Sequence, residues 1–150
     1  MVIINDMNDT EKKYITENAR ETELIGAKIA ETLGKDSFIA LYGDMGAGKT
    51  VFVRGVVEKL IPDAVKLVHS PTFALVNEYI GDGVKIYHFD MYRIADEDEL
   101  YAIGFDDYFG GGIIITEWSE NIPDSIPSDA IRITIKPLDE NRREITVVSG

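Results

Sequence analysis

Eight consecutive residues carry the clearest chemistry in the chain: Gly43-Asp44-Met45-Gly46-Ala47-Gly48-Lys49-Thr50, which fits the spacing G-x-x-x-x-G-K-[ST]. Glycines at these places let backbone N–H groups face an anion with no Cβ in the way. A helix opening at Lys49 would aim its positive end at the same oxygens. Lys49 then supplies a point charge for β- and γ-phosphates, and the Thr50 hydroxyl supplies a ligand for Mg²⁺. The expectation is a nucleoside-triphosphate site. A second metal ligand in such a site normally stands at the end of a neighbouring apolar strand. Glu117, directly after Ile113-Ile114-Ile115-Thr116, meets that description. Asp90 follows another apolar run, Val84 to Phe89, and is a second acid able to face the metal or an attacking water. Ser70-Pro71-Thr72 presents two hydroxyls from a stiff turn, which reads equally as a γ-phosphate sensor or as an ordinary strand entry. His69 and His88 lack metal-ligand spacing and read as structural, and Trp118 reads as a packing residue before a stacking one.

Particular elements must hold these side chains. Asn18 caps a helix predicted from Ala19 to Leu33, with Glu21 completing a capping box and Gly34 as terminator. Ser37 to Tyr42 predicts a buried strand that runs into the first glycine of the loop. From Lys49 a second helix places Val53, Val56, Val57 and Leu60 on one face and stops before Pro62. Phe73 to Tyr79 and Val84 to Phe89 flank Gly81-Asp82-Gly83, a hairpin turn suited to positive φ. A short helix near 96–103, a strand at 113–116 and a last hairpin joining 130–136 to 143–148 complete the series. The string α, β, α and then mostly β predicts an α/β fold. Its sheet would be mixed and of the P-loop NTPase type, with flanking helices and additional antiparallel hairpins, in one domain over residues 1–150.

Composition narrows the partners. The 150 residues carry 27 acids against 15 Lys and Arg, a formal net charge of −12, which argues against a broad basic face for nucleic acid. There is no cysteine, so a disulfide scaffold, a Cys-ligated zinc and a thiol nucleophile are excluded. No stretch has the length of a signal peptide or a membrane span, and the expectation is a cytoplasmic protein with no membrane partner. No N-K-x-D or T-K-x-D base-reading motif occurs, and the D-x-x-G of Asp107 to Gly110 lacks a preceding strand, so ATP is favoured over GTP.

Together GDMGAGKT, SPTFALVNEY, YHFDMYR with the following Glu99-Leu100 and Ile103-Gly104, and ITEW resemble the TsaE family, over roughly Asn18 to Glu120. That family comprises the small P-loop ATPases of bacterial tRNA threonylcarbamoyladenosine synthesis. One departure is Val51, where the family commonly has a second Thr. The resemblance implies that Gly46, Ala47, Gly48, Lys49, Thr50 and Val51 hold the phosphates of ATP or ADP. It implies that Thr50 and Glu117 hold Mg²⁺, that Lys49, Asp90 and Glu117 serve hydrolysis, and that Asn18 and Arg142 lie near the base. It further implies slow intrinsic hydrolysis, partners of the TsaB and TsaD type, and contact with tRNA only through that complex. A small-molecule kinase and a non-hydrolysing ATP-binding module share the loop and remain the competing classes; the oligomeric state is open. Between Asp90 and Asp107, seven acids face one arginine, half of the net charge of −12. This run predicts a partner with a complementary basic surface near the nucleotide.

Overall fold

Alternation along the strands sends apolar side chains to both faces of one sheet, so each face needs its own cover. The computed structural model describes residues 2–8, 11–71 and 75–149. Eight strands form the sheet: β1 (Val2–Asn8), β2 (Glu11–Thr16), β3 (Phe38–Tyr42), β4 (Val76–Gly81), β5 (Val84–Asp90), β6 (Ile113–Glu117), β7 (Ile131–Pro137) and β8 (Arg143–Val148). Their spatial order is β1-β2-β8-β7-β3-β6-β5-β4. The four central strands β7, β3, β6 and β5 are mutually parallel, and antiparallel pairs extend both sides. The mixed α/β architecture expected from the element string is the one observed.

Helices α1 (Ala19–Ala30) and α2 (Lys49–Leu60) cover one face, over Ile39, Leu41, Ile86, Ile115, Ile133 and Ile145. Helix α3 (Glu97–Ala102) and short 3₁₀ turns cover the other, over Phe38, Ala40, Phe89 and Ile114. The two helices of the first face pack backbone to backbone. A Cβ on Gly55 would stand 1.9 Å from the Glu23 carbonyl oxygen, and one on Gly26 would stand 2.3 Å from that of Phe52. Only glycine permits that approach.

Three boundaries differ from the expectation. Helix α1 ends at Ala30 with Glu31 as C-cap, and Thr32 and Leu33 close a tighter turn through bonds to Ile29 and Ala30. Strand β4 begins at Val76; Phe73, Thr72 and Ala74 lie outside the described residues. The element string also began too late, because β1 and β2 precede α1. Strand β2 buries only Tyr14 and Thr16 on its inner face, so its apolar signal is too sparse to read. The hairpin at Gly81 to Gly83 forms as expected, with Asp82 and Gly83 at φ 53° and 76°.

Candidate functional site

The parallel strands β3, β5 and β6 all deliver their carboxyl ends to the same edge, where open α/β sheets collect ligands. Strand β3 runs into the glycine loop, and α2 leaves it. Gly48, the N-cap of α2, has φ 104°, a conformation that disfavours any Cβ, and it brings no side chain to cap the first helical amides. Helices α1 and α3 differ, since Asn18 and Asp96 accept hydrogen bonds from Glu21 and Glu99 N–H respectively. The start of α2 thus presents uncapped donors and the positive end of a 12-residue helix to whatever sits in the loop.

Lys49 and Thr50 stand in the first turn of α2. Lys49 is 5% exposed and folds back across the loop, donating to the Gly43 carbonyl and, at 3.2 Å, to that of Asp44. Its ammonium also lies 4.1 Å from the centre of the Trp118 ring, a cation–π contact. Burial pulls the Lys49 ammonium below the ordinary lysine value, against the opposite pull of Glu117, Glu120, Asp90 and Asp44. A cation short of solvation beside donors with no capping group is primed for an anion.

Thr50 and Glu117 are 67 residues apart in sequence, yet the Thr50 hydroxyl donates to both Glu117 oxygens, at 3.3 and 3.1 Å. Glu117 is 3% exposed at the end of β6, and its carboxylate also hydrogen-bonds the imidazole of His88, Nε2 to Oε2. Asp90 pairs with Glu117 in the β5–β6 register and accepts the Ser70 hydroxyl at 2.7 Å and the Tyr92 N–H at 2.9 Å. The turn at 70–71 is therefore tied to Asp90, while Thr72 lies outside the described residues. Among the described residues no group of three or more His, Asp or Glu gathers in metal-binding fashion. One carboxylate with one hydroxyl is instead an all-oxygen pair suited to Mg²⁺, which keeps most of its waters and takes few protein ligands.

A cavity of about 760 Å³ opens over this edge, within the roughly 300–1,000 Å³ typical of small-molecule sites. Lys49, Thr50, Asp90, Glu117 and Trp118 line it, with Gly46, Ala47, Gly48 and Val51. The two remaining expected residues are absent from that lining. The Asn18 Oδ1 caps α1, accepting the Glu21 N–H at 2.9 Å. Arg142 turns away and bonds Asp139 at 2.7 Å, and its neighbour Arg143 reaches the glycine loop instead. The Arg143 guanidinium donates to the Ala47 carbonyl at 2.9 Å and the Gly46 carbonyl at 3.4 Å, and it lines the cavity. Strand membership separates the two: Arg143 is the first residue of β8 and pairs with Thr16 and Pro137, whereas Arg142 lies in the preceding turn. The residue pattern read His88 as structural with no link to Glu117, and it passed over Glu120, whose carboxylate accepts the Gly43 N–H at 3.4 Å.

Comparison with known proteins gives the family. The family described as "Threonylcarbamoyl adenosine biosynthesis protein TsaE" matches residues 16–145. The tRNA threonylcarbamoyladenosine biosynthesis protein TsaE of Bacillus subtilis is 38% identical over 135 residues, covering 89% of this chain and 83% of that protein. The Aquifex aeolicus protein of the same name is 38% identical over 136 residues, covering 91% of this chain and 95% of its own length. A crystal structure of Bacillus subtilis YdiB superposes with a TM-score of 0.74 at 31% identity, covering 93% of this chain and 85% of that one. A match across both halves of the sheet, and not the glycine loop alone, makes the chain a member of the TsaE family, with that family's role in tRNA threonylcarbamoyladenosine biosynthesis.

Proposed function

We propose that this chain binds ATP with Mg²⁺ and hydrolyses it slowly on its own, with turnover made productive by partners of the TsaB and TsaD type in the cytoplasm. The observation that carries the reading is the meeting of Thr50 and Glu117 beside Lys49 under a glycine-lined cavity. Gly46 to Val51 would offer backbone amides to the phosphates. Lys49 would exchange the Gly43 and Asp44 carbonyls for β- and γ-phosphate oxygens, regaining the solvation that burial denies it. Thr50 and Glu117 would hold Mg²⁺, which when bound neutralises charge on the phosphates. Asp90, anchored by Ser70 and the Tyr92 amide, would orient the attacking water or couple hydrolysis to the 70–71 turn. Arg143 would brace the loop carbonyls so that its amides point inward.

Phosphoryl transfer depends on positioning and electrostatics, so a site lacking a partner's contribution turns over poorly. The tRNA would then be met only through the complex, since a chain of net charge −12 has little to offer a polyanion. The test is direct. Lys49→Ala should abolish binding of a fluorescent ATP analogue, and retained affinity would refute the site. Phosphate release measured alone and with TsaB and TsaD should appear mainly with the partners. Transfer to a metabolite would instead make the chain a kinase.

A further inference from the structure

Three adjacent strands carry a buried polar chain that phosphate binding does not need. His88 on β5 is fully buried, and its ring sits between Tyr79 of β4 and Glu117 of β6. Nδ1 meets the Tyr79 hydroxyl at 2.9 Å, and Nε2 meets Glu117 Oε2, the same oxygen that accepts the Thr50 hydroxyl at 3.1 Å. Around them the sheet face is aliphatic, with Ile86, Ile113 and Ile115 all buried. An apolar side chain would fill the His88 position with less desolvation cost, so packing alone gives no reason for an imidazole there.

The donors fix the tautomer. Glu117 Oε2 can accept from Nε2–H and the Tyr79 hydroxyl can donate to Nδ1, so both partners match the Nε2–H tautomer. Tyr79 supplies that donor: burial pushes its phenol above the ordinary value, against hydrogen bonding from Asn77 and the His69 backbone, so the hydroxyl keeps its proton. Partners behind a ligand of this kind set its orientation and basicity. We infer that His88 is a positioning residue: with its tautomer set by Tyr79, it holds the Glu117 carboxylate in the orientation that faces Thr50 and the metal. The inference rests on the Mg²⁺ reading above and concerns geometry, not proton transfer.

The experiment measures mant-ADP affinity by fluorescence, first in EDTA and then across a MgCl₂ titration, on wild type, His88→Leu, His88→Gln and Tyr79→Phe. The Mg²⁺ midpoint should rise roughly tenfold in His88→Leu while affinity in EDTA holds within about twofold. His88→Gln, whose amide nitrogen can replace Nε2–H, should recover most of the loss, and Tyr79→Phe should shift the midpoint the same way by less. Imidazole ¹⁵N resonances of the free chain should report His88 protonated on Nε2 only; a proton on Nδ1, alone or together with Nε2, overturns the tautomer set by Tyr79. A wild type whose mant-ADP affinity ignores MgCl₂ overturns the metal reading and this one with it. A Mg²⁺ response that His88→Leu leaves unmoved overturns the positioning role alone. Should His88→Leu not fold, an unmoved midpoint in Tyr79→Phe decides against it.

Discussion

Arg142 and Arg143 differ by one position and live in different electrostatic worlds. The Arg142 guanidinium, together with the Arg142 and Asn141 amides, hydrogen-bonds Asp139 and holds its carboxyl at about 2, below the ordinary 3.8. A carboxylate whose folded-state pKa is depressed stabilises the fold above its unfolded value, and that contribution is lost as pH falls through about 2. In an acid titration followed by NMR, the amide resonances of Asn141 and Arg142 should therefore move with a midpoint near 2, not near 3.8. Asp139→Asn should remove that transition, and a midpoint at the ordinary value would show that the turn does not hold the carboxyl as described. The site residues legible from spacing were those with a local signature: Lys49 and Thr50 in the loop, Glu117 and Asp90 just past apolar runs. Arg143 and His88 carry no such signature, because their roles come from what a distant strand places opposite them.

At the scale of elements, α1 and α2 act as one slab through Gly26 and Gly55, and α2 carries Lys49 and Thr50 on its first turn. Gly55→Ala drives a methyl into the Glu23 backbone, which cannot yield without parting the helices. Chemical denaturation should report a loss of about 1–3 kcal/mol or more. Gly34→Ala, whose nearest neighbour is a Ser37 hydroxyl at 3.8 Å, should stay within about 0.5 kcal/mol. Equal stability of the two variants would mean that the helices do not meet as closely as stated. Neither glycine contact was readable from periodicity, which marks the buried face of a helix but not its distance from a neighbour. The last hairpin was readable, since 143–148 alternates cleanly and its partner is close in sequence. Strands β1 and β2 were not, because β2 takes its place from a partner, β8, at the other end of the chain.

For the whole molecule, half of the net charge of −12 falls in one stretch, residues 90–107. Asp90 and Glu99 line the cavity, and Asp98, Asp106 and Asp107 are exposed beyond it. Tyr92, Tyr101, Ile103 and Phe109 expose 50%, 62%, 44% and 42% of their surface along the same stretch. Apolar groups set among acids beside the cavity over the glycine loop suit a basic protein partner better than open solvent. The proposed association with TsaB and TsaD should accordingly weaken by roughly tenfold or more between about 0.05 and about 0.5 M salt. Titration by calorimetry across that range would detect it, and salt-independent affinity would count against the acidic face as the contact. The sheet order adds a constraint in time. Arg143 braces a carbonyl of Ala47, 96 residues earlier, and β2 joins the central sheet only through β8. On the ribosome the glycine loop leaves the exit tunnel long before its brace exists, and the amino-terminal hairpin must wait without its docking strand. The glycine loop, complete by Thr50, therefore stays unbraced until Arg143 has followed it out of the tunnel.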